Sequence, residues 1–331
     1  ELGGVELLRS SHVGSFPLDY SLENTERIIV DLSSIGLDAP PYPQLRGFID
    51  IYVEPLVQAG LVKREKGFLY ALSPNNLLSW KGGVEAPEAE YTVETIKRLK
   101  LGFKHLRAPV TGPFTLASRI YLSMDSRDLS STALAWKDLV KEFFTRYSSA
   151  WVEYMSMLGY NLIFLDEPIL GVIIGARRNL YGYSDEDIVE VLDTVARSAH
   201  SAEVGVHVCG RVHRRILEVL YSTSRVKYFS LEFHDSQQNI EILDKRLLEE
   251  RDKLISPGIV SSRVPRLESL EEAFSLLNKV HRVTGGRIDL VSGDCGFAGL
   301  KGALGNPEAE YELALSKLKI VVNACKRLSS G

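Results

Sequence analysis

The chain has 331 residues, of which 45% are hydrophobic and 25% charged, and a formal net charge of -4. A chain of this length buries a large core, as one big α/β domain or two smaller ones, and the small net charge excludes a nucleic-acid partner held by a general positive field. Three cysteines far apart in sequence make no secreted disulfide framework and point to a reducing, cytoplasmic setting.

In chain order, short apolar runs of strand character occupy residues 9–16, 37–43, 105–110, 161–165, 204–208, 226–233, 254–260 and 287–292, each stopping at glycine, proline or a polar cluster. Residues 60–90, with GFLYAL at 67–72 and the Lys81-Gly82-Gly83 turn, read as a hairpin and loop inserted between the second and third units. The helical stretch 128–159 is predicted to break into two helices. Residues 160–176 are the longest apolar window, but Asp166, Glu167 and Pro168 interrupt it, so no membrane association is expected. Nor does the N-terminus show a signal-peptide pattern.

A helix over 184–202 opens on a Ser-Asp-Glu-Asp cap. Another, over 306–326, has Asn306 as N-cap, Pro307 at its first position and Glu310 in its first turn. Strands alternating with helices predict a (β/α)8 TIM barrel forming a single domain over 1–331, with a doubly wound sheet as the alternative.

The C-terminal ends of barrel strands share one face, and every chemically suggestive cluster falls at such an end: SHVGS at 11–15, DEP at 166–168, HVC at 207–209, LEFH at 231–234 and GDCG at 293–296. His207 and Cys209 stand two apart, so on a strand both face one side. With Cys295, and with Glu232 ending the next strand, they make a set of one nitrogen, two sulfurs and one oxygen suited to tetrahedral Zn²⁺. Each cluster alone has a plainer reading. A His-x-Cys pair is commonly core packing, since free cysteine behaves as a small hydrophobe, and Asp-Glu-Pro is commonly a solvated turn. Convergence is what points to a metal. Cys325 reads as packing in an amphipathic helix, and His234 and Asp294 as supporting neighbours of the site.

SHVGSFP near the start, APVTGPFTL, LDEPIL, HVCG, LEF and SGDCG occur in the order and spacing of the catalytic barrel of cobalamin-independent methionine synthase. The chain resembles that family over nearly its whole length, in particular its short, single-barrel archaeal-type members. The resemblance implies a zinc-dependent methyltransferase that moves a methyl group to the thiol of homocysteine, forming methionine. Its zinc ligands would be His207, Cys209, Glu232 and Cys295. The family's homocysteine clamp matches Val13, Gly14, Ser15 and Asp166. A second acidic clamp residue falls in PQLRGF at 43–48, where Gln44 is the counterpart, and the missing carboxylate weakens the grip on an ammonium group.

The family's histidine acid beside folate falls in SSRVP at 261–265, at Arg263. Arginine cannot give up a proton near neutrality. A folate amine needs one to leave, whereas a cobalt(I) corrin does not. Methylcobalamin or a methyl-corrinoid protein is therefore the expected donor, with methyltetrahydrofolate the second choice. Two rival readings are a corrinoid:thiol zinc methyltransferase of coenzyme M type with a uroporphyrinogen-decarboxylase-like fold, and a noncatalytic zinc-containing partner subunit.

Overall fold

In a computed structural model of the chain, which describes residues 8–71 and 73–330, the strands are β1 (Val62–Glu65), β2 (Phe68–Ala71), β3 (Arg107–Thr111), β4 (Ile120–Tyr121), β5 (Leu162–Asp166), β6 (Glu203–Val208), β7 (Val226–Glu232) and β8 (Leu254–Gly258). A five-stranded parallel sheet runs in the order β3-β5-β6-β7-β8, and a separate three-stranded sheet in the order β1-β2-β4. The parallel ladders keep the strand ends in step. Thr111 lies opposite Asp166, Asp166 opposite His207, Val208 opposite Leu231, and Glu232 opposite Gly258.

Residues 9–16, 37–43 and 287–292, expected as strands, form isolated parallel bridges instead of ladders. Ile255↔Ile288, Gly258↔Ser292, Ser10↔Val291, Ser11↔Ala39, Ser15↔Gln44 and Pro41↔Arg107 link the free edge of β8 to the free edge of β3. The physical reason is clearest at Pro40, Pro41 and Pro43: proline has no N–H to give a ladder, so pairing there is reduced to single contacts such as Arg107 N–H to Pro40 O at 2.9 Å.

Alternation along each strand gives two faces. Ala108 and Val110, Ile163 and Leu165, Val206 and Val208, Phe229 and Leu231, and Ile255 join the large core under the helices. The opposite face carries a second, small cluster of Ala39, Leu162, Phe164, Tyr228 and Leu290. By the same alternation it also carries Arg107, Asp166, His207, Ser230 and Glu232. These polar side chains thus extend a packed face toward the strand ends.

β1 and β2 are the expected hairpin, closed by Lys66 and Gly67 with φ of 50° and 81°, a mirror-image turn that matches strand twist. β4, too short to read from periodicity, pairs parallel to β2. The 128–159 stretch differs from expectation. Two 3-10 turns, Leu129–Ser131 and Ala133–Ala135, lead into continuous helical backbone from 137 to 158 that widens to a π-turn at Val140–Phe144. There the Thr145 hydroxyl donates to Val140 O at 2.9 Å, five residues back, so the chain swells within the helix rather than breaking it. The helices Asp185–Arg197, with a capping box between Ser184 and Asp187, and Pro307–Ser329, capped by Asn306, form as expected. Among the described residues no helix is long and apolar enough to cross a membrane.

Candidate metal centre

His207 is next to last in β6 and Cys209 follows the strand by one residue, so both side chains leave the inner face at its end. The imidazole is fixed from behind: its Nδ1 lies 3.1 Å from Ser230 Oγ on the neighbouring strand, where Ser230 is its ladder partner. That contact turns Nε2 toward Cys209 Sγ, 3.0 Å away. Cys209 Sγ in turn lies 3.5 Å from Cys295 Sγ. One donor atom from each of His207, Cys209 and Cys295 falls within 4.8 Å of the others. Zinc bonds of about 2.0–2.3 Å bring neighbouring donors to within about 4 Å, so this N, S, S set fits the ion that the sequence points to.

Glu232, the fourth expected ligand, ends β7 on the same face and is buried, but stands outside that converging trio. Its Oε2 accepts from Arg263 Nη2 at 2.7 Å. Arg263 also approaches Asp235, with Nε 3.6 Å from Oδ2.

The expected clamp residues Val13, Gly14, Ser15 and Gln44 meet beside the loop that carries Cys295. Gln44 N–H donates to Gly14 O at 3.1 Å, and Ser15 bridges to Gln44. Gly14 has φ of 152°, and a Cβ there would lie 2.8 Å from Pro109 Cγ and 3.0 Å from Gln44 Oε1, so only glycine fits. The Gln44 amide donates to Tyr42 OH at 3.2 Å. Tyr42 itself pairs with Tyr52 OH. Ser15 is tied to the cysteine loop, its O accepting from Phe297 N–H at 2.8 Å and its Oγ from Ala298 N–H at 3.1 Å. At Gly296 a Cβ would sit 2.1 Å from Ser15 Oγ, which requires glycine directly after Cys295. Val13 is buried between these contacts.

His234 and Asp294 stand behind the donors rather than among them. The Asp294 carboxylate accepts from Phe233, His234 and Asp235 N–H at 3.0, 3.0 and 2.7 Å, fastening the loop after β7 to the loop that carries Cys295. His234 Nδ1 meets Asp235 Oδ1 at 2.8 Å. Glu167, the other acid of the Asp-Glu-Pro motif, turns away from the mouth and accepts from Phe114 N–H and Thr115 N–H, each at 2.9 Å.

Burial sets the electrostatics. It pushes the Asp166 carboxyl up to about 7, against the opposing pull of His207 and Arg107. Asp294 is likewise raised to about 7 by burial. The two thiols split: the Cys209 thiol beside it and the His207 imidazole pull Cys295 down, while Cys295 and burial push Cys209 up. Burial lowers His207, but its contact with Cys295 and the charges of Cys295 and Asp166 together leave it raised.

Sequence reasoning missed three residues of this site. Ser230 is in phase with Glu232, and that period of two was the available signal. Asn239 joins the two loops, its Nδ2 donating to Glu232 O at 2.8 Å and to Gly210 O at 3.0 Å, and nothing local marks it. Arg107 lies inside the strand expected at 105–110 with no signal to set it apart, yet it is fully buried.

The sequence model of the family described as "Cobalamin-independent synthase, Catalytic domain" matches residues 82–326. Over 332 residues the chain is 24% identical to a methionine synthase of Methanothermobacter thermautotrophicus, covering 94% of this chain and 97% of that protein. It is 25% identical over 342 residues to a methionine synthase of Methanocaldococcus jannaschii, covering 95% and 97%. A B12-independent methionine synthase from Shewanella sp. W3-18-1, solved with selenomethionine, superimposes with a TM-score of 0.68 at 16% identity over 98% of both chains, a likeness of fold.

Proposed function

The chain belongs to the family of cobalamin-independent synthase catalytic domains and is a methyltransferase, and from that premise we propose that it transfers a methyl group to the thiol of homocysteine, forming methionine. The observation that carries this reading is the convergence of His207 Nε2 with the sulfurs of Cys209 and Cys295 at the ends of parallel strands. We assign zinc to these three residues, with Glu232 as fourth ligand. When bound, the ion supplies deprotonation of an incoming alkyl thiol, whose pKa of about 8.5 otherwise leaves it mostly protonated near neutrality.

The chain's own residues do the rest. Ser230 holds the His207 ring so that Nε2 faces the sulfurs. The anionic donors Cys209, Cys295 and Glu232 keep electron density on the substrate sulfur, unlike a three-histidine site suited to activating water. Asp166, buried at the end of β5, takes the ammonium group of the amino acid. Val13, Gly14 and Ser15 line the backbone side, with Gln44 as a neutral contact.

In the transfer the sulfur–carbon bond forms as the donor–methyl bond breaks, and the leaving group keeps the electron pair. Arg263 stands at the mouth as a permanent cation held by Glu232 and cannot deliver a proton. This supports methylcobalamin or a methyl-corrinoid protein as donor, ahead of methyltetrahydrofolate. The ring of bridges between β8 and β3 supports a closed (β/α)8 barrel forming one domain, with residues 60–90 as an insertion between its second and third units.

The test is methyl transfer to homocysteine by zinc-loaded protein, with methylcobalamin and methyltetrahydrofolate run side by side and Cys295→Ser as control. Methionine should form with methylcobalamin, and the control should lose it by at least a hundredfold. Formation from the folate alone reverses the donor assignment. An active Cys295→Ser protein removes the zinc site from the chemistry.

A further inference from the structure

Arg107 opens β3 and, after Trp151, heads the largest fully buried side chains of the molecule. Its guanidinium carbon lies 3.7 Å from the centroid of the Phe164 ring. Phe164 sits two residues before Asp166 on β5, and β3 and β5 are ladder partners, so the guanidinium lies directly under the strand ends. Its charge acts on Asp166, Cys295, His12 and His207. Yet its Nε, Nη1 and Nη2 find no hydrogen-bond partner among the described residues, and neither does Asp166 Oδ1.

A buried guanidinium with no hydrogen-bonded partner is strongly disfavoured in an apolar interior, and stacking on one aromatic face offsets only part of that cost. Arginine presents a planar fork of N–H donors that matches a carboxylate in two parallel bonds, and unlike a buried lysine it keeps its charge. Arg263, beside the donors, is already engaged by Glu232. The Asp166 carboxyl, its Oδ1 without a hydrogen-bond partner, and the unpartnered Arg107 guanidinium lie on one face beneath two thiols. That is the complement of a zwitterionic amino acid whose side chain ends in sulfur.

We propose that Arg107 is a specificity-determining residue that receives the α-carboxylate of the thiol substrate while Asp166 receives its ammonium group. This rests on the reading of the site as a homocysteine site. It explains how the chain recognises an α-amino acid with glutamine at position 44, and it disfavours thiols that carry no carboxylate.

The experiment is equilibrium binding of two thiols to zinc-loaded protein by calorimetry: homocysteine, and 3-aminopropane-1-thiol, which keeps the thiol and ammonium but has no carboxylate. Wild type should prefer homocysteine by roughly tenfold to a hundredfold, the worth of a charge-assisted hydrogen-bonded pair. Arg107→Met should abolish that preference by weakening homocysteine alone, and Arg107→Lys should restore part of it. Equal affinity for the two thiols in wild type overturns the proposal without recourse to any variant. So does an Arg107→Met protein that keeps the preference, or one that loses both thiols equally, as a structural role would require. Wild-type protein that binds neither thiol instead brings down the homocysteine reading itself.

Discussion

Ser230 contributes one hydroxyl to the site, and the orientation of the His207 ring depends on it. With Oγ 3.1 Å from Nδ1, the serine fixes which ring nitrogen is left for a metal. Ser230→Ala frees the ring to rotate and leaves Nδ1 without its buried partner. Zinc affinity should fall by about ten- to a hundredfold, the usual cost of losing the partner behind a ligating imidazole, with little change in fold. Competition with a chromogenic chelator measures this, and an unchanged affinity would show that packing alone orients the ring. Much of the site was legible at this scale because strands encode facing in a period of two: His207 and Cys209 fall on one side of β6, and Glu232 falls in phase on β7. What could not be read was burial against the grain of residue type. Nothing near Arg107 in sequence says that its charge is enclosed, since that enclosure comes from Phe164 on another strand. Likewise Glu232 reads as a ligand from its position, while its bond to Arg263 depends on how the loop after β8 folds back.

That loop is held by an element distant in sequence. Lys317, midway along Pro307–Ser329, is fully buried and donates to Glu268 Oε1 and Oε2 at 2.8 and 2.6 Å, while Glu268 Oε1 also accepts from Ser261 N–H at 2.9 Å. The pair pins residues 261–268, and with them Arg263, to the last helix. Lys317→Met leaves a buried carboxylate without its cation and should cost about 3–5 kcal/mol in urea unfolding. The double variant Lys317→Met/Glu268→Leu should recover most of that loss, because the cost lies in the orphaned charge more than in the missing attraction. If the single variant loses less than 1 kcal/mol, water or another cation already serves Glu268. The helices were legible from caps and periodicity, Ser184 and Asn306 among them, because these signals are local. The first, second and last strand segments were legible as apolar runs but not as bridges. Apolar character says which face a segment covers, whereas Pro40, Pro41 and Pro43 decide how many backbone bonds it makes.

The molecule as a whole keeps its candidate site apart from what holds it together. The three converging donors stand at strand ends, whereas the bulk of the apolar burial lies between the parallel strands and the helices and includes none of them. A metal at the mouth would therefore add stability only through its own binding, about 4 kcal/mol at a thousandfold excess over its dissociation constant. For a chain of this size that corresponds to a fall in Tm of the order of 10 °C or less when the metal is stripped. Treatment with dipicolinate should leave the helical circular dichroism signal unchanged at 25 °C, lower Tm by that modest amount, and restore both Tm and thiol binding on return of zinc. A noncatalytic zinc scaffold behaves differently, since structural zinc carries folding energy directly. Cooperative loss of helix on metal removal would place the protein in that class, because a core this separate from the donors has no reason to collapse with them.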